Sequence, residues 1–194
     1  MVPKAGSRAL GIAASDAADR SQLCGAVVRA DRVVDEFVFA TCTTGGSDAP
    51  AACCRLWNRL DRPDVQWLLV AGVAPAWFNL VDLHALADHA DRPVIAVAFE
   101  DSDGLEAPIR EQFDGAALDR RLDVYRRLPP RTRVSVGDDT VFLRAVGIDT
   151  DAAATVVDAF TPTGSGRPEP LRVARLAARA GRAQWLDGPE NTEG

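Results

Sequence analysis

The apolar positions of this 194-residue chain fall into two rhythms. Near-continuous apolar runs of strand length occur at RALGIAAS (8–15), VQWLLVAGV (65–73) and PVIAVAFE (93–100). Such runs suit strands covered on both faces. LCGAVVRADRVVDEFVFATCT (23–43) is rich in Val, Phe and Thr on either side of Ala30-Asp31-Arg32, which predicts a hairpin. Helical spacing takes over elsewhere. Cys53, Trp57 and Leu60 share one face of a helix that Asp48 can cap, with Pro50 in its first turn. Further helices are predicted at Leu80–Ala90, after the polar turn of DSDGLEAPIREQF, over 115–128 (Leu118, Leu122 and Tyr125 aligned, Pro129-Pro130 ending it), at DAAATVVDAF and at LRVARLAARAGR. VSVGDDTVFLRAVG predicts two short strands across Gly137-Asp138-Asp139, and TPTGSGRPEP reads as a loop.

Three antiparallel strands therefore lead into parallel strands joined by crossover helices. The expected fold is α/β, a ribonuclease H-like mixed sheet with helices on both faces. No repeat or second core is visible, so residues 1–185 are expected to form one domain and 186–194 a flexible polar tail.

Composition narrows the function classes. No apolar stretch approaches the roughly 20 residues of a membrane-spanning helix. MVPKAGSRALGIAAS has no long apolar run behind its basic residues, unlike a secretory signal, so a cytoplasmic location is expected. The four cysteines form no C-x-x-C pair and stand apart from His84 and His89; they read as small buried hydrophobes rather than a zinc site. Lys4 is the only lysine against 21 arginines, and 21 aspartates outnumber 7 glutamates. This resembles proteins of salt-accumulating archaea, or reflects GC-rich codons. The net charge of −6 is unevenly spread: residues 1–115 carry −7, residues 116–182 carry +4 and the tail −3. A basic C-terminal half points to a phosphate-bearing partner. No Walker lysine follows the GGSD turn, and no nucleophile elbow is present.

Four stretches carry a family resemblance spanning about residues 8–182: RALGIAASD, TTGGSDAP, LLVAGVAPAWFNLVDL and GRPEPLRVARLAARA. They resemble, in turn, the opening strand, a V-D-G-x-D-A-T-type motif, an L-D-G-I-x-x-A-G-F-N-V-V-D-I signature and a P-E-P-L-R-V-A-H-L terminal helix. These belong to an endonuclease V-related archaeal family (domain of unknown function ninety-nine). Endonuclease V cleaves next to deaminated bases with carboxylates and a divalent metal. The resemblance places family acids at Ala13, Gly45 and Ala71 and a family His at Arg175, while Asp48, Phe78, Asn79, Asp82, Glu169, Pro170 and Arg172 match. Loss of three acids at strand ends argues against ordinary two-metal hydrolysis.

Four groups are the candidates for chemistry. Asp16, Asp48 and Asp82 could form a displaced acidic catalytic site, or serve as loop solvation, helix cap and first-turn charge. Trp77, Phe78 and Asn79 could stack on a base and bond its edge, or cap the core beneath a loop. Arg172, Arg175, Arg179 and Arg182 form one helical stripe suited to phosphates or to salt bridges, opposite an expected core face of Val173, Leu176, Ala177 and Ala180. Glu169 complements that helix's dipole and could hold a metal. The expectation is a nucleic-acid-binding domain with a degenerate nuclease site, its pocket centred on Trp77–Asp82 beside the arginine helix. No cofactor is expected. Mg²⁺ enters only under the alternative of an active endonuclease with displaced ligands. A protein-interaction module without nucleic acid is the third reading.

Overall fold

The computed structural model describes residues 2–186, with the side chain of Leu186 left aside. Beyond Leu186 the expected tail lies outside the described residues. The strands are β1 (Arg8–Asp16), β2 (Arg20–Arg29), β3 (Val34–Thr43), β4 (Val65–Ala71), β5 (Val94–Ala98), β6 (Thr132–Val136) and β7 (Asp139–Val146). The helices are α1 (Ala49–Leu60), α2 (Leu83–Ala90), α3 (Glu106–Gln112), α4 (Gly115–Arg127), α5 (Thr150–Ala159) and α6 (Glu169–Leu186). One seven-stranded sheet runs β3-β2-β1-β4-β5-β7-β6. The first three strands pair antiparallel, β1, β4 and β5 run parallel, and β7 and β6 return antiparallel. Strand types and order agree with the sequence reading. None of the described helices is long and apolar enough to cross a membrane.

Strand β1 is central, and its two faces differ in size. Leu10, Ile12 and Ala14 point into the larger core, with Leu56 and Leu60 of α1 and Leu83 and Leu86 of α2. Ala9, Gly11 and Ala13 alternate onto the other face, which α6 crosses. At Gly11 the approach is so close that an added Cβ would sit 2.2 Å from the Pro170 carbonyl oxygen. Helix α6 answers with Val173, Ala174, Ala178 and Gly181. This corrects the expected core stripe: Leu176 is 53% exposed and Ala180 is exposed. Small residues at 174, 178 and 181 let the helix lie flat, which placed the buried arc about a third of a turn from the expected one.

The cysteines pack as expected. Cys24, Cys42 and Cys53 are buried, Cys54 is half-buried, and all four are free thiols. Burial pushes the Cys24 and Cys42 thiols up to about 12. At the sheet edge, Arg55 of α1 donates to the Thr41 carbonyl oxygen at 2.8 Å and Arg59 donates to that of Phe39. Both cover carbonyls of edge strand β3.

The connection between β4 and α2 is pinned by Asn79, which is fully buried. Its Oδ1 accepts the Ala49 N–H at 2.9 Å, and its Nδ2 donates to the Thr43 carbonyl and to Asp48 Oδ1, both at 2.8 Å. Asp48 begins α1 but makes no side-chain cap bond to it. Its carboxylate turns back to accept from Thr43 N–H at 3.0 Å, and Asn79 satisfies the first helical N–H instead. The expected Asp48 cap is thus replaced by a cap supplied from 30 residues away.

Replacing Gly11 with Ala should destabilise the fold by about 1–3 kcal/mol in chemical denaturation, because Pro170 backbone rather than a flexible side chain must move. Asn79→Ala strands a buried N–H and should cost about 1–3 kcal/mol. An Asn79→Ala midpoint equal to that of the parent chain would remove the bracing role.

Candidate nucleic-acid interface

Strands β1, β3, β4 and β5 all end at the same edge of the sheet, which is where open α/β sheets bind ligands. A cleft of about 710 Å³ opens there. Its floor is Ala71–Ala74 after β4 and Ala96–Glu100 at the end of β5. Arg172, Arg175, Leu176 and Arg179 of α6 form one wall; Tyr125, Arg131, Phe142 and Arg144 form the other, and Arg167 joins from the loop before α6. The cleft therefore lies on the near side of the expected pocket, since Trp77–Asp82 do not line it.

Six arginines face a single acid, Glu100. Among the described residues only Arg172 has a carboxylate partner. Its guanidinium grips both oxygens of Glu169, at 2.7 and 2.6 Å, and holds that carboxyl below its usual range. Three more arginines are flattened against aromatic rings: Arg131 on Phe142 at 3.8 Å, Arg167 on Phe99 at 4.4 Å and Arg144 on Tyr125 at 5.1 Å. Arg131 also donates to the Ser102 and Glu100 carbonyls, and Arg144 to that of Pro129. These contacts fix the guanidinium planes and leave their positive charge unneutralised, an arrangement suited to phosphate oxygens. Arg182 departs from the stripe, donating instead to the Asp16 carbonyl.

The three candidate acids do not meet. Asp16 accepts from the Ser21 hydroxyl at 2.7 Å at the end of β1. Burial pushes the Asp48 carboxyl up, but donation from Asn79 and Thr43 outweighs this and holds it below its usual value. Asp82 caps α2, accepting from His84 and Ala85 N–H at 3.1 Å, and lies 3.4 Å from Arg127. That cap starts α2 three residues later than the apolar pattern predicts. Among the described residues no three His, Cys, Asp or Glu side chains gather around a possible metal position.

The positions where the resemblance places acids fall along this same edge. Ile12 pairs with Val70, so Ala13 and Ala71 follow on adjacent strands and pack together with Val173 and Ala174. Arg175 is the next residue of α6. Gly45, with φ of +68°, lies beneath Trp77: an added Cβ would be 2.4 Å from the indole ring. A divalent cation needs anionic oxygens. Methyl groups, a bare glycine and a guanidinium do not fit one.

Trp77 is 48% exposed, and both Trp77 and Phe78 have positive φ, of 42° and 57°. Two consecutive bulky residues in that region are strained, as is common at functional sites. The rings of Trp77, Phe78 and Phe113 pack with centroids 5.4–5.8 Å apart. Buried Arg121 lies 3.7 Å over Phe113 and donates to the carbonyls of Gly45, Gly46, Phe78 and Ala117. Asn79, its amide engaged by Ala49, Thr43 and Asp48, braces this loop and presents no free edge. Sequence reasoning missed Tyr125, Arg131, Arg144 and Arg167. The available signal was the basic run YRRLPPRTR together with the positive balance of 116–182.

Comparison with known proteins identifies the family and the fold. The UPF0215 protein of Pyrobaculum calidifontis is 33% identical over 160 residues, covering 81% of this chain and 86% of that protein. A protein of unknown function from Archaeoglobus fulgidus superposes with a TM-score of 0.77 at 23% identity, over 89% of this chain and 96% of that one. Ciona intestinalis endonuclease V, solved with a 24mer DNA containing an inosine followed by a ribo-adenosine, gives a TM-score of 0.63 at 15% identity, over 92% and 87%. These solved structures show the fold, which is ribonuclease H-like. The endonuclease dU family model matches residues 5–181, so the chain belongs to that family, an endonuclease V-related archaeal family.

Proposed function

We propose that this chain is a nucleic-acid-binding protein on a nuclease frame whose metal-dependent centre has been dismantled. One observation carries the reading: the cleft beyond the strand ends, which takes in Ala71 where the resemblance expects an acid, holds six arginines and one acid, and among the described residues only Arg172 of the six is paired to a carboxylate. That inverts the charge preference of the site from divalent cations to phosphate oxygens. Arg172, Arg175 and Arg179 track the backbone, and Trp77 with Phe78 offers an exposed ring for an unstacked base. Bases are expected to be held by stacking, because Asn79 is committed to the scaffold. The family model's name and the inosine-containing DNA of the Ciona relative support deaminated strands as the first substrates to try.

The test is titration of plain, inosine-containing and deoxyuridine-containing single strands at several salt concentrations, by fluorescence anisotropy. We expect salt-dependent binding, and weaker binding by Arg175→Ala/Arg179→Ala, with the log-log salt slope falling by about 0.7 per lost phosphate contact. Binding that is absent at low salt, or unmoved by the double substitution, would remove the nucleic-acid reading and favour a protein-interaction role. The same strands incubated with Mg²⁺ should remain intact on a denaturing gel. Metal-dependent cleavage abolished by Asp16→Asn or Asp48→Asn would instead establish a nuclease with displaced ligands.

A further inference from the structure

Beyond β5, the far end of the cleft opens into a second chamber of about 270 Å³ beside the β6–β7 hairpin. We infer that this chamber seats a phosphate monoester, the terminal phosphate of a strand whose remaining backbone runs toward α6. The inference rests on the reading of the cleft as a nucleic-acid trough, and it names the part of the ligand that sets position.

Four of the eight residues lining the chamber are Arg or Tyr donors. The Tyr125 hydroxyl accepts the Leu105 N–H at 2.9 Å and Arg144 Nη2 at 3.1 Å, and among the described residues its own proton has no acceptor. A phenol whose oxygen is already accepting twice can add only a donated hydrogen bond, so its missing partner is an acceptor. Arg131, Arg133 and Arg144 surround it, against one acid, Asp103. The formal sum of +2 matches a monoester, which carries about −1.5 to −2 at neutral pH, better than an internal diester with one charge. Arg131 and Arg144 are already oriented by Phe142 and Tyr125, so little side-chain freedom is lost on binding. Position along the sheet agrees. Helix α6 packs on β1 and β2 with its arginines beside the end of β4, the floor crosses β4 and β5, and the chamber sits at β7 and β6, the last strands in the order. A strand entering along α6 thus reaches the densest donor cluster at its end.

The experiment compares one ten-nucleotide single strand in three forms, 5′-phosphorylated, 3′-phosphorylated and unphosphorylated, with a nucleoside 5′-monophosphate as competitor. One terminal phosphate should tighten binding about tenfold or more. Tyr125→Phe should erase most of that advantage, weakening the phosphorylated strand far more than the unphosphorylated one. Arg133→Ala, at an exposed side chain, should reduce the advantage without lowering the melting temperature, which guards against a folding defect in Tyr125→Phe. Equal affinity for all three forms, with no competition by the monophosphate, would overturn the chamber while leaving the nucleic-acid reading intact. Monophosphate binding that depends on Tyr125, with no strand bound, would keep the monoester pocket and overturn the nucleic-acid reading.

Discussion

Helix α6 can lie flat on the sheet because Gly11 of β1 meets the Pro170 backbone, Ala13 packs with Val173 and Ala174, and Gly181 lies against Gln22 of β2. Close packing of this kind leaves no slack, so the helix has one place and one rotation. The rotation decides which side chains reach the cleft. With the small residues facing the sheet, Arg172, Arg175 and Arg179 face the cleft, and Leu176 is carried out with them. The same contact brings Ala13 and Ala71 together with Val173 and Ala174, apolar packing at the strand ends where the resemblance expects carboxylates. Packing and chemistry are set by a single interface.

The electrostatics follow from that geometry. An acidic protein would be expected to repel a polyanion, yet the net −6 is distributed so that the sheet edge is cationic. Elsewhere arginine meets carboxylate: Asp35 lies against Arg29 and Arg8, both at 2.6 Å, and its carboxyl is held far below the usual range, chiefly by the Arg29 hydrogen bond. In the cleft, arginine meets aromatic faces and backbone carbonyls instead. Those partners orient a guanidinium without cancelling it, so the field of the cleft survives in an otherwise acidic coat.

Much of the fold could be read from the chain because its signals are local. RALGIAAS announced a central strand by its small and apolar residues, and Gly137-Asp138-Asp139 announced a turn. What failed was information held between distant segments. Asp48 has the residue type and position of a helix cap, but Asn79, far along the chain, takes the helical N–H and draws the carboxylate aside. Asn79 itself looked like a recognition amide, and only its three partners identify it as a brace. The arginine stripe was legible by spacing, whereas Arg131, Arg144 and Arg167 became site residues only when the sheet order set Phe142, Tyr125 and Phe99 beside them.

The glycine beneath the indole of Trp77 constrains what position 45 can carry. With Gly45 in a left-handed conformation and the ring filling the space above it, any side chain introduced there collides with the indole before it reaches solvent. A carboxylate at position 45 would require the Trp77 side chain to move or change. Positions 45 and 77 are therefore coupled: a larger residue at 45 calls for a smaller or displaced residue at 77, so the two are expected to change together.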